Sequence, residues 1–241
     1  MSNSNDITVL NGKLRLLQAP DGFRTSIDAV LLAAACPAQN GHSILDLGCG
    51  VGSAGLCALH RLPQATLHGI DIQASHTLLA QENAAINSME SRATFAKVDI
   101  RNFDGGAFDH IICNPPYEEA GAHTPSPSTP RATALGHLAS DITLKDWVEC
   151  AWRNIKGRGS LTIIHKAEAL DDIILALGKS FGATEIIPLY PKAGKAAGRV
   201  LIRSYKHRKT PCTLHSGIIL HNDNGDYTDA AEAILRGGEA L

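Results

Sequence analysis

The sequence has no apolar run longer than about ten residues, the stretch around Ala29–Cys36, and so no segment able to span a bilayer as a helix. No secretory signal is expected either, since Met1–Asp6 is polar, with neither a basic start nor an apolar core. No two of its cysteines (Cys36, Cys49, Cys57, Cys113, Cys150 and Cys212) stand two or three residues apart, which removes the usual zinc spacings. Several lie in apolar stretches, where a reduced thiol packs as a small hydrophobe, so the reading is cytoplasmic and metal-free. There is no internal repeat and no large excess of charge, the net being -2. With 44% hydrophobic and 19% charged residues, disordered, collagen-like and coiled-coil chains are excluded.

At roughly 150 residues per domain, 241 residues suggest one decorated domain. Its charge is unevenly spread: Arg153–Lys209 holds twelve Lys/Arg against four Asp/Glu, while the remainder is acidic. An acidic body with a basic segment points to a polyanionic partner, although scattered solvated charges would give the same count.

Asn11-Gly12 between Ile7–Leu10 and Leu14–Leu17 predicts a hairpin with a type I′ turn. Thr25 followed by Asp28 resembles a capping box opening a buried helix over Ile27–Cys36. Short apolar runs follow at Ile44–Leu47, Leu67–Ile70, Thr94–Val98, Asp109–Cys113, Leu161–His165, Glu185–Leu189 and Val200–Tyr205. Helix-like stretches separate most of them, near 53–61, 73–88, 143–155 and 167–181. This alternation predicts an α/β fold with a seven-stranded, mostly parallel sheet covered on both faces. The loop joining the last two strands is too short for a parallel crossover, so the last strand should be antiparallel. Glu118–Ser140, with Pro125, Pro127 and Pro130, reads as a long loop.

Asp46-Leu47-Gly48-Cys49-Gly50-Val51-Gly52 follows a buried strand and leads into a helix. Its glycines let a ligand approach the backbone, and the helix start offers free N–H groups. Gly50, Gly52 and Gly55 also fit the dinucleotide spacing, but Asp46 would repel a pyrophosphate and attract an ammonium group. Asp71, at the second strand end, is placed to accept from two ribose hydroxyls; Asp99, at the third, from an adenine amine. Each alone would pass for a turn or helix cap. Together they resemble the class I S-adenosylmethionine-dependent methyltransferases, over Ile44 to about Tyr205. That resemblance implies a Rossmann-like fold with Asp46, Gly48, Gly50 and Gly52 on the methionine part, Asp71 on the ribose and Asp99 on the adenine. It divides the chain into an N-terminal hairpin and helix (1–43), a catalytic core (44–206) and a C-terminal extension (207–241).

Asn114-Pro115-Pro116-Tyr117 ends the fourth strand. The prolines stiffen the turn and offer no N–H, leaving outward carbonyls. If the Asn114 side-chain oxygen and the Pro115 carbonyl each accept one N–H of an NH2 group, its lone pair is freed and aimed. Tyr117 can stack on a base swung out of its helix. The motif resembles that of methyltransferases acting on adenine N6, guanine N2 or glutamine N5. The N-terminal part is too short for the helical domain of the glutamine enzymes, and no sequence is left for a DNA target-recognition domain or a duplicated rRNA-enzyme domain. What remains is similar to the compact tRNA adenine-N6-methyltransferases acting beside the anticodon of a valine tRNA. Asp21–Leu32 resembles their entry motif, which implies Thr25 and Ser26 closing over the methionine end, with Asn114 also touching the cofactor. The tail from Ile187 through Arg199–Ile202 to Thr228 is similar too. Arg131, Lys192, Lys195 and Arg199 are candidate RNA contacts, although solvated loop charges would look alike. His137 and His165 are weaker candidates, and Cys49 and Cys113 read as packing. A protein glutamine N5-methyltransferase, a guanine-N2 rRNA enzyme and a non-catalytic RNA-binding module stay open alternatives.

Overall fold

The computed structural model describes residues 5–19, 25–117 and 142–241. The chain opens with the hairpin of β1 (Asn5–Val9) and β2 (Leu14–Gln18), paired antiparallel with Val9 opposite Leu14. Asn11 and Gly12 take positive φ angles of 55 and 82° and the Lys13 N–H donates to the Leu10 carbonyl, as a type I′ turn requires. Leu10 is itself left-handed, so pairing ends one residue earlier than the apolar pattern suggests.

A nine-stranded sheet forms the body. In chain order its strands are β3 (Ser43–Leu47), β4 (Thr66–Asp71), β5 (Ala93–Lys97), β6 (Phe108–Cys113), β7 (Ile155–Lys166), β8 (Phe181–Lys192), β9 (Arg199–Lys206), β10 (Thr213–Leu214) and β11 (Ile218–His221). The spatial order is β10-β8-β9-β7-β6-β3-β4-β5, with β11 also on β8. The pairs among β3–β7 are parallel, whereas β9 is antiparallel to both neighbours, as its short connection to β8 demands. The two strands beyond the expected seven come from the tail, which adds β10 and β11 alongside β8.

Helices α1 (Ile27–Ala35), α2 (Ser53–Arg61) and α3 (Ala74–Ile86) cover one face with the hairpin and tail. Helices α4 (Leu144–Asn154) and α5 (Leu170–Leu177) cover the other. α1 is apolar nearly all round and buried accordingly. Its cap is Ser26, whose hydroxyl accepts from the Asp28 N–H at 3.3 Å, one residue later than the capping box expected at Thr25. α4 does carry a complete capping box, between Thr143 and Asp146. Asn83 of α3, fully buried, fastens the hairpin to the glycine loop: its amide donates to the Leu17 and Val51 carbonyls and its oxygen accepts from the Leu17 N–H. Among the described residues no helix is long and apolar enough to cross a membrane. The chain turns outward from β3 in both directions, towards β4–β5 and towards β6–β7, so the crevice above the carboxyl ends of β3 and β6 is a topological switch point.

Candidate active site

A cavity of about 480 Å³ occupies that crevice. Asp46 and Asp71 from β3 and β4, the loop Gly48–Val51, the corner Asn114–Tyr117 after β6, Thr25 ahead of α1 and Trp147 of α4 all contribute to its wall. The loop needs its glycines: Gly48, Gly50 and Gly52 all have positive φ, at 64, 53 and 84°. At Gly48 a Cβ would also meet the Trp147 ring at 2.5 Å.

Asp46 is buried and its Oδ2 accepts from the Gly55 N–H at 3.0 Å. Burial, aided by the charge of Asp71, pushes its carboxyl up to about 7, so the site invites a cation that would restore the carboxylate. Asp71 is held by backbone: Gly50 N–H donates to Oδ2 at 2.9 Å and Gln73 N–H to Oδ1 at 2.8 Å. Each carboxylate oxygen keeps a lone pair for a further donor. His76 Nδ1 stands 3.4 Å from Asp71 Oδ1, against the same wall.

Three residues expected at the cofactor lie outside the lining. Asp99 caps a 3-10 turn (Ile100–Asn102) and is gripped by Arg101, whose hydrogen bonds hold its carboxyl below the usual range; Val98 and Ile100 face the cavity instead. Ser26 is occupied as the cap of α1, and Gly52 sits at the start of α2 with Ala80, Leu56 and Phe95 each 3.3 Å from where a Cβ would be. Thr25 lines the cavity with its hydroxyl 2.6 Å from that of Ser53. Residues 21–24 of the expected entry motif, and the whole proline-rich loop with Arg131 and His137, lie outside the described residues.

At the diproline corner the Asn114 side-chain oxygen is buried and has no hydrogen-bond partner among the described residues. A polar atom so placed wants a donor, and it lines the cavity. Tyr117 is fixed on three sides. Its hydroxyl donates to Asp28 Oδ2 at 2.8 Å, the Arg199 guanidinium lies 4.8 Å from its ring centre, and His165 meets it edge-on at 4.9 Å. Arg199 Nε donates to the same Asp28 oxygen at 3.2 Å. Burial and then the charge of Asp28 push the Tyr117 phenol well up, so it stays a neutral donor. Burial lowers His165.

Arg199 thus braces Tyr117, a different placement from a solvent-facing phosphate contact. Lys192 donates to the Asp223 carbonyl at 3.0 Å, and Lys195 is exposed in the turn before β9. Asp28 is the main residue that sequence reasoning misassigns. Its spacing from Thr25 suggests a cap, while an acid inside an otherwise apolar helix is the signal that it answers a distant partner. Trp147, His76, Gln73 and Ser53 escape that reasoning, and no local pattern marks them. Cys49 and Cys113 are buried, and burial holds both thiols well above their usual range.

Residues 24–130 match the family model described as methyltransferase small domain. The chain is 30% identical over 217 residues to a tRNA1(Val) (adenine(37)-N6)-methyltransferase of Shewanella sp. (strain W3-18-1), covering 87% of this chain and 89% of that protein. It is 26% identical over 209 residues to the protein of the same name from Aeromonas hydrophila, covering 86% of each. Among solved structures, a predicted O-methyltransferase from Agrobacterium tumefaciens matches 89% of this chain and 97% of its own with a TM-score of 0.73 and 24% identity. A geranyl diphosphate C-methyltransferase from Streptomyces coelicolor A3(2), solved with S-adenosyl-L-homocysteine, shares the fold at a TM-score of 0.52 and 14% identity, over 74% of each chain. The cavity fits S-adenosylmethionine: a buried acid suits its ammonium, a backbone-fixed acid its ribose, and the open side of Gly50 leaves room for the ligand. This Rossmann-like chain belongs to the family of S-adenosylmethionine-dependent N-methyltransferases that its Shewanella and Aeromonas relatives represent.

Proposed function

We propose that the protein methylates the exocyclic N6 of an adenine in RNA, a tRNA base beside the anticodon. The observation that carries this reading is the buried Asn114 oxygen, without a hydrogen-bond partner among the described residues, on the wall of the cofactor cavity that Tyr117 also lines. The names of the relatives support the choice of adenine and tRNA. Asp46, Gly48, Gly50 and Asp71 would hold the cofactor. S-adenosylmethionine, when bound, supplies an electrophilic methyl group.

The chain's own residues then have to present a weak nucleophile. An aryl amine delocalises its lone pair into the ring. Asn114 Oδ1 and the Pro115 carbonyl accept one N–H each, which draws the lone pair back onto nitrogen and points it into the cavity. Tyr117 supports the base by its ring face, and the Asp28–Arg199 brace keeps that ring from turning. The nitrogen gains a methyl group and sheds one proton to water, so orientation supplies most of the catalysis. The test is mass spectrometry of nucleosides from unmodified tRNA incubated with the protein and isotopically labelled methyl donor. N6-methyladenosine carrying the label is the expected product. Label in guanosine, in protein glutamine or nowhere would refute the reading.

A further inference from the structure

Among the described residues, a cluster of cations lies far from the cavity, at the opposite end of the same strands. β7 begins, β8 begins and β9 ends there, because β9 runs antiparallel to both. Phe181 pairs with Lys206, the Ala183 N–H donates to the Thr210 carbonyl, and Trp152 packs against both Phe181 and His207 at 5.6 and 5.2 Å. A Cβ at Gly157 would lie 3.7 Å from His207 Nδ1. Three stretches that are remote in sequence therefore converge, and they bring Arg158, Lys179, Arg208 and Lys209 to one exposed corner.

The cations of this corner differ in what they do. Lys156 pairs with Asp109 at 2.8 Å, and Lys206 donates to the Trp152 and Ile155 carbonyls that end α4, so both have structural employment. Arg158, Lys179, Arg208 and Lys209 have no ion-pair partner among the described residues. Arg208 lies over the Tyr205 ring at 4.4 Å, which holds its guanidinium in place. A group of like charges left unneutralised raises the local potential and calls for a polyanion.

We propose that this corner is a docking surface for the phosphate backbone of a tRNA at a distance from its methylated base; the inference rests on the adenine reading above. From Ser160 to His165, β7 climbs five residues, about 16–17 Å at ~3.3 Å per residue, and Arg158 precedes that stretch in the irregular start of the strand. A base held at Tyr117 and phosphates held at Arg158 are thus too far apart to belong to one nucleotide and fit a folded RNA lying along the molecule. Phosphate contacts fix the position of the RNA, while the cavity selects the base.

The test replaces Arg158, Lys179 and Lys209 together by Glu and measures binding and methylation of two probes: an unmodified tRNA transcript with adenine at position 37, and a hairpin of its anticodon arm alone. A second variant with Gln at the same positions separates the removal of attraction from added repulsion. For the whole tRNA the Gln variant should bind about tenfold more weakly at physiological salt, and the slope of log K against log salt should fall by about one for each phosphate that is no longer neutralised. Methylation of the hairpin should be unchanged in both variants. If whole-tRNA binding is unchanged, or hairpin methylation falls in step with it, the docking surface is refuted. If the unaltered protein methylates neither probe, the adenine reading fails first, independently of the corner.

Discussion

Replacing Tyr117 by Phe removes one hydroxyl and, with it, the 2.8 Å hydrogen bond to Asp28, while leaving an aromatic ring to stack. Asp28 is only 6% exposed, so this is a charge-assisted bond in a largely dry setting. Such a bond contributes about 1.5–3 kcal/mol. If its whole value goes into holding the ring in the geometry that the reaction needs, the rate falls about 10- to 150-fold, since ~1.4 kcal/mol is tenfold. Asp28→Ala should cost at least as much, because it also strands Arg199, and Asp28→Asn, which keeps an acceptor oxygen, should recover part of the loss. The decisive quantity is the double variant. When two residues act through one bond, the second substitution adds little to the first, and the coupling should approach the bond's own ~1.5–3 kcal/mol. The assay is single-turnover methylation of a tRNA transcript at saturating cofactor, with melting curves to confirm that each variant is folded. Additive losses, or an effect on RNA affinity with the chemical rate intact, would refute the bracing role of Asp28.

Two further outcomes follow from other parts of the molecule. Asn83→Ala removes three hydrogen bonds made by a buried amide between α3, the hairpin and the glycine loop, so urea unfolding should show a loss of about 2–4 kcal/mol, at ~1 kcal/mol per bond plus unsatisfied partners. The ionised form of Asp46 is the one that attracts an ammonium, and its carboxyl is raised to about 7, so cofactor affinity should climb as pH rises from 6 to 8. Calorimetry of Asp46→Asn should show weaker binding without that rise, whereas a pH-independent affinity in the unaltered protein would remove Asp46 from the ammonium site.

The alternation of apolar runs and helix-like stretches is enough to place β3, β4, β5 and β6 to within about a residue, because a strand covered on both faces is largely apolar, whereas β7 begins at Ile155, six residues ahead of the apolar run that marks it. The position of β9 between β7 and β8 is not legible in the sequence: a short connection dictates direction, but side-chain packing decides which neighbour is found. β10 and β11, two and four residues long, are too short for any periodicity to show. At the site, Asp46, Asp71, the glycine loop and the diproline corner can be read because backbone geometry ties them to strand ends. The setting of Asp99 cannot, since its pairing with Arg101, two residues further on, is not marked by any pattern. Asp28 shows the same limit from the other side: its partners Tyr117 and Arg199 are 89 and 171 residues away.

That a stiff corner aims an NH2 group at the cofactor through the Asn114 oxygen is a claim that Asn114→Ala decides. Measured side by side, methyl transfer to tRNA should fall by about 10²- to 10³-fold, the range for losing one preorganised group at a reacting centre. S-adenosylhomocysteine binding should stay within about threefold, because Asp46 and Asp71 still hold it. Transfer that persists near the unaltered rate, or that falls only as far as cofactor binding does, would contradict the claim.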